Sequence, residues 1–377
     1  MHRLLLPVLL LAAGCAKPTA PTLAAPQPTG VGPAPTTPAY ATPSAADQSA
    51  PELQPIARFE LGGTFSHTYS LDMQITPDGK RLSIAMTPTD GRPAMQVWGL
   101  GAAPKRLYQS EQTYGGVTPA LSPSGKRVVA HGKVYDVDRG DAGKPLATLP
   151  GAYYSHAFFA GEDRVIATMR SHGFDKLEKG AVTIWDVAAN KDAGSFEVPD
   201  DRFTDAFPSK GGRELWLFQA ADRCVIECWD TTTGKLLRAV KPAGISPPPT
   251  SSGLYCAVAP DGSVFATLHK DYTVYDGVTG AAVGGMPGTA RGGLTNGLTP
   301  GGTRALATAY EVLDPKTGVA TPVPVLVDWK DRRRLATLRG FSAGATDLHA
   351  VASADGKVAV AVSKQGQALV YDLTQVK

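Results

Sequence analysis

A short phrase returns seven times along this chain, and it restricts the fold more than any other feature. Its first part is a turn, Thr76-Pro77-Asp78-Gly79-Lys80. It returns as Ser122-Pro123-Ser124-Gly125-Lys126, Pro260-Asp261-Gly262, Thr299-Pro300-Gly301-Gly302 and Ala354-Asp355-Gly356-Lys357. Degenerate copies are Ala160-Gly161-Glu162-Asp163 and Pro208-Ser209-Lys210-Gly211. Successive copies stand about 46 residues apart on average, the spacing of units that must stack on neighbours to bury an apolar face. In such a turn proline presets φ, Asp or Ser bonds back to the backbone, and glycine takes the position with φ > 0.

Each turn is followed by a run of strand length and composition, such as Leu82–Met86, Val264–Leu268 and Val358–Val362. A third run ends in an aromatic residue next to aspartate: Tyr135-Asp136, Trp185-Asp186, Trp229-Asp230, Tyr275-Asp276 and Tyr371-Asp372, with Val97-Trp98 and Asp328-Trp329 as variants. Fourth runs follow, as at Arg106–Tyr108, Pro145–Leu149, Ala193–Val198, Leu236–Val240 and Leu335–Leu338. Helical period is absent, and 31 prolines and 41 glycines oppose long helices. Four strands in each of seven units predict an all-β chain, a seven-bladed β-propeller. The last unit stops at its third strand, Val370-Tyr371-Asp372, while a surplus strand, Ile56–Leu61, precedes the first turn. Pairing the two closes the ring and covers two edges.

Trp185-Asp186, Trp229-Asp230 and the turn Asp230-Thr231-Thr232-Thr233-Gly234-Lys235 carry a resemblance to the WD-repeat (WD40) family over about residues 57–377. The resemblance implies a protein-interaction or scaffold propeller. The family's Gly-His pair before the first strand is missing from most units, with His67 near its place in the first. The family's regular hydrogen-bond network is therefore not carried over.

The N-terminus differs from the body. Leu4–Ala13 is apolar but spans only about ten residues, half of what a membrane helix needs, and it fits the core of a signal peptide. Leu11-Ala12-Ala13-Gly14-Cys15 resembles the lipobox of bacterial lipoproteins, with Ala12 where leucine is usual. The resemblance implies a signal peptide over 1–14, acylation of Cys15 (diacylglycerol and a palmitate-type N-acyl chain) and a membrane-anchored, extracytoplasmic protein. Ala16 resembles an outer-membrane rather than inner-membrane address on the periplasmic face. Residues 15–55 read as the lipidated cysteine and a tether. Residues 16–55 hold ten prolines, ten alanines and three charges, a composition that stays extended. Residues 56–377 form the propeller.

Little here carries chemistry. The seven histidines have no metal-pair spacing, and no nucleophile elbow or phosphate loop is present. Cys224 and Cys228, four apart in a strand, stand about 13 Å apart, too far for a disulfide. They and Cys256 are expected as buried apolar residues. Net charge is +3 without a basic block beyond Arg332-Arg333-Arg334, which reads as a solvated turn and argues against nucleic acid. Aromatics and histidines gather in the segments leading into first strands: His67, Tyr69, Tyr114, Tyr153, Tyr154, His156, Phe203 and Phe341. On a propeller these connections share one face, where aromatics suit binding, although they also fill gaps between blades. The expected protein is a monomer without metal or cofactor that binds a protein or envelope component and is not an enzyme. The alternative is a quinoprotein-like or lactonase-like propeller enzyme with an axial site.

Overall fold

The apolar runs after each turn are strands because their alternation lets both faces of a sheet be buried at once. The computed structural model describes residues 49–376 except 66–70, 87–88, 90–93, 112–119, 141–142, 150–153, 170–179, 199–202, 220–224, 243–254, 269–271, 287–297, 300–302, 313–319, 343–344 and 347. These residues form seven four-stranded sheets. Blade one is typical, with Leu71–Ile75 innermost, then Arg81–Met86, Ala94–Gly99 and Lys105–Glu111, each antiparallel to the last. The innermost strands of blades seven, one, two, three, four and five touch in that order around an axis.

Seven apolar clusters fill the seven gaps between blades. Val358–Val362 of blade seven shows how. Val360 and Val362 join the cluster shared with Ile84 and Trp98 of blade one, while Ala359 and Ala361 join the one shared with Leu306 and Leu326 of blade six. A period of two therefore feeds two interfaces. Each fully buried valine or leucine contributes about 1.5–3 kcal/mol. The ring is a chain of interlocked clusters with no single centre.

The turn phrase behaves as its residues demand. Gly79, Gly125, Gly161, Gly211, Gly262 and Gly356 all have φ between 67° and 76°; the seventh copy, Gly301-Gly302, lies outside the described residues. At Gly125 a side chain would also press on Arg81 Cδ. The hydroxyl before the turn closes it: Thr76 Oγ1 accepts from Arg81 N–H at 3.0 Å, as Ser353 Oγ does from Val358 N–H. The aspartates of the aromatic-Asp pairs have the local backbone task expected of them. Asp230 Oδ1 accepts from Thr232 and Thr233 N–H, and Asp276 from Val278 and Thr279 N–H. The hydrogen bond from Thr233 N–H, ahead of the others, holds Asp230 below the ordinary carboxylate range. A β-bulge recurs at the equivalent place in five blades, beside the aromatic in four of them, as between Cys228 and Trp229, and before Val327 in blade six.

Polar clasps tie blade to blade. Arg81 Nη1 donates to Gly125 O at 2.9 Å and pairs with Asp138. Arg127 repeats this one blade on, donating to Glu162 O at 2.8 Å and meeting Asp163. In blade four that position holds Glu214, and the arginine comes from the outer strand instead. Arg238 Nη2 lies 3.1 Å from Glu214 Oε2, and its Nε donates to Gly277 O of blade five at 2.9 Å. The guanidinium lies over the Trp216 ring at 4.7 Å, and Lys210 completes the pairing with Glu214 at 2.8 Å.

Closure follows the expected pairing and adds to it. Ala57–Glu60 runs antiparallel to Gln367–Asp372 as the outer strand of blade seven. Glu52–Leu53, inside the stretch read as tether, forms a further strand, parallel to Arg333–Leu338 on blade six. Leu53 is buried in the cluster between blades six and seven, and Arg339 pairs with Glu52 at 2.9 Å. A lone leucine in a proline-rich run has no period, so local pattern did not single it out. Blade six differs in two more ways. Its innermost strand is reduced, among the described residues, to a bridge between Leu298 and Ala305. Its middle hairpin is long, with Arg304–Val312 paired to Ala320–Asp328 over nine residues on each strand. The outer strand of blade five, Ala282–Met286, was not legible because two of its five residues are glycine.

Candidate functional site

The site is best located by register. The positions equivalent to Thr76 are Ser122, Ala160, Ser209, Ala259, Thr299 and Ser353, and the residue four positions before each is Asp72, Thr118, His156, Asp205, Tyr255, Thr295 and His349 in blades one to seven. All seven are polar, and none is lysine or arginine. The pairings confirm equivalence where the chain is described. Asp72 opposes Ala85, His156 opposes Thr168, Asp205 opposes Phe218, Tyr255 opposes Leu268 and His349 opposes Val362, three pairs from the turn end of the ladder, or four for Asp205, whose ladder runs one pair further to Ser209 and Glu214. Thr118 and Thr295 lie outside the described residues.

Equivalent places on innermost strands bring the described ones, Asp72, His156, Asp205, Tyr255 and His349, to one level near the axis. His349 and Asp72 are on neighbouring blades seven and one, and His156 and Asp205 on neighbouring blades three and four. His156 Nε2 stands 3.8 Å from Asp205 Oδ1, and the histidine is largely buried and stacked parallel to Phe158. Thr168 Oγ1 donates to His156 O across the sheet at 3.5 Å. Asp72 is different. It is exposed, yet its strand is flanked on both sides by other innermost strands, so the solvent it meets is enclosed by protein. Burial pushes its carboxyl up to about 6. Of the two carboxylates at this level, one stands beside an imidazole and the other is raised toward neutrality by burial. Such separation suits proton exchange or charge recognition.

Blades three and four share a further feature. The register slips between Tyr154 and His156 and again between Phe203 and Asp205. No other described innermost strand carries this bulge. A bulge bends the strand and re-aims its side chains. Two of the expected aromatics thus stand at matched positions directly before the His–Asp pair.

The other expected residues are distributed as follows. His67, Tyr69, Tyr114, Tyr153 and Cys15 lie outside the described residues, and for Tyr154 and Phe203 only the backbone is described. His156 is at the site. Phe341 is half-buried against the cluster between blades six and seven, filling a gap. Asp72, Asp205 and His349 were missed. Their equivalence shows only once the strands are paired, because the turn phrases at Pro208 and Ala354 do not start at the residue that matches Thr76. Among the described residues no three His, Cys, Asp or Glu side chains stand close enough to hold a metal, and no helix is long and apolar enough to cross a membrane.

Cys228 and Cys256 are buried in the cluster between blades four and five, and Cys224 lies outside the described residues. Burial pushes the Cys228 thiol up to about 12, far from nucleophilic at neutral pH. Set against known proteins, the chain matches no family model and no curated protein.

Proposed function

We propose that this chain is a lipid-anchored, extracytoplasmic β-propeller that binds a protein or envelope component at the end of the ring where its innermost strands begin. The observation that carries this reading is the pair of matched bulges that put Tyr154 and Phe203 at the same strand position, two residues before His156 and Asp205. The resemblance of Trp185-Asp186 and Trp229-Asp230 to WD repeats adds to it, because that family works through partner binding. Affinity capture from solubilised membranes, read by mass spectrometry, tests the reading. The wild-type chain should retain a defined partner, and joint Tyr154→Ala and Phe203→Ala changes should reduce its recovery while the thermal melt is kept. Equal recovery by both baits would sink the idea.

Anchoring rests on the likeness of Leu11–Cys15 to a lipobox. Three acyl chains anchor stably, since each buried CH₂ contributes about 0.8 kcal/mol. In fractionated cells Cys15→Ser should move the protein from the membrane pellet to the soluble fraction. Retention in the pellet at the wild-type level counts against the anchor. Should Cys15 be acylated, Ala16 favours the outer membrane.

A second reading, an axial enzyme of lactonase-like or quinoprotein-like type, is favoured by Asp72 and the His156–Asp205 pair. A carboxyl that burial raises to about 6 is suited to general acid–base work. Metal analysis, a search for quinone absorbance and a lactone and alcohol substrate screen on the purified protein separate the two. Turnover abolished by Asp72→Asn would establish the enzyme.

A further inference from the structure

We propose that the axial level marked by Asp72, His156, Asp205 and His349 receives a primary alkylammonium group, with the Asp72 carboxylate carrying the counter-charge. This rests on the reading that the ligand enters where the innermost strands begin, and it names the chemistry recognised there.

The argument starts from charge. None of the seven register-equivalent residues is a permanent cation, while two are carboxylates. Asp205 already has an imidazole at 3.8 Å. Asp72 has no hydrogen bond or ion pair among the described residues, although it is exposed. Elsewhere in this molecule carboxylates near the axis-to-turn path are answered: Asp78 by Thr76 and Lys80, Asp355 by Ser353 and Lys357, Glu214 by Lys210 and Arg238. Asp72 therefore stands on an innermost strand, between two others, with no counter-charge among the described residues.

Enclosure makes that acid receptive. Taking a carboxylate out of bulk water costs free energy that an arriving cation recovers. The raised pKa of Asp72 reports the same cost, because poor solvation alone lifts it. Binding a cation must then draw a proton off Asp72 in the fraction that holds one. The charged and titratable groups on the strands packed beside Asp72 are His349 on blade seven and, at the next register-equivalent pair, none on Arg81–Met86 except Arg81 at its far end, which is engaged by Gly125 and Asp138.

The cation is an organic ammonium rather than a bare metal ion. The described residues offer no group of three metal-binding side chains, so a metal would keep most of its water. An ammonium needs less. It presents three donors, which one carboxylate and neighbouring imidazole or carbonyl acceptors can satisfy. Two sources share this chemistry, a free alkylamine and a lysine side chain of a partner.

Isothermal titration calorimetry of the detergent-solubilised full chain tests the proposal with three probes. These are 1,4-diaminobutane, Nα-acetyl-lysine amide and the same lysine amide acetylated on its side chain. Saturable binding of the first two at pH 7.5, with no binding of the acetylated probe, is expected. Diaminobutane alone would point to a free amine, and both together to an exposed ammonium of either source. Asp72→Asn, nearly isosteric, should weaken binding by about tenfold or more, the worth of one charged hydrogen bond, with its melt at least as high as wild type. Binding that is absent in the wild type, equal in Asp72→Asn or indifferent to acetylation overturns the proposal. Loss of amine binding with partner capture intact would remove this inference alone. Equal capture by the wild type and the joint Tyr154→Ala and Phe203→Ala chain would remove the binding reading itself.

Discussion

A chain that begins at Gly62 is expected not to fold, whereas one that begins at Ser49 should melt like the full-length protein. The shorter chain loses both N-terminal strands. Ala57–Glu60 is the outer strand of blade seven, tied to Gln367–Asp372 along four residue pairs and by Ile56 N–H to Val370 O at 2.8 Å. Without it that edge is open to other chains. Phe59 is buried and its ring lies 4.4 Å from Trp98, joining blade seven to blade one; Leu53 and Leu61 are buried too. Losing a buried phenylalanine costs about 3–5 kcal/mol and each leucine about 2–5. The sum approaches the whole stability of an ordinary domain, about 5–15 kcal/mol. Size exclusion and circular dichroism of the two truncations decide the matter. A soluble, cooperatively melting chain from Gly62 would show that the ring closes without its N-terminal strands.

Replacing Glu214 by alanine should lower stability by about 3 kcal/mol, the lower end of what breaking a buried ion pair costs. The lower end applies because Arg238 and Lys210 reach solvent in part, with side-chain exposures of 22% and 49%. Glu214 itself is 6% exposed and joins three groups: Arg238, Lys210 and, at 3.2 Å, Ser209, whose hydroxyl also takes Trp216 Nε1–H. Removing it leaves a guanidinium against Trp216 without its counter-charge and loosens the clasp from blade four to Gly277 of blade five. Burial opposes the charged form of Glu214, but the Lys210 hydrogen bond and Arg238 outweigh it and hold the carboxyl below its ordinary 4.5. A carboxyl depressed by folding stabilises above its unfolded value and loses that contribution as pH falls. The gap between wild type and Glu214→Gln should therefore be full at pH 7 and narrow below about pH 4.5. Urea titrations at several pH values measure it. A gap that stays constant with pH, or a Glu214→Ala change of less than about 1 kcal/mol, would mean that the cluster is incidental.

The repeat was legible because each of its parts has a local cause. Gly79 and its counterparts take φ > 0, Asp230 and Asp276 cap the turn that follows them, and alternating valines and alanines build sheets buried on both faces. Less was legible where the cause is not local. Leu53 has no pattern around it and is held only by blade six. Ala282–Met286 is glycine-rich and is a strand only because blade five needs an outer partner. Phe341 reads the same in sequence whether it faces solvent or fills a gap, and it fills a gap.

The site divides in the same way. His156 was singled out as a residue near aromatics, while Asp72, Asp205 and His349 passed unnoticed among many scattered polar residues. They are 133, 49 and 193 residues from Asp205, His156 and His156 along the chain, and nothing local relates them. By itself the sequence determined the number of blades, the turns, the strand order within a blade and the pairing of the two ends, because those follow from periods and dihedral preferences within some tens of residues. Only the tertiary structure decided which polar side chains share the axis and which carboxylates have counter-charges. Register and enclosure are properties of seven blades together.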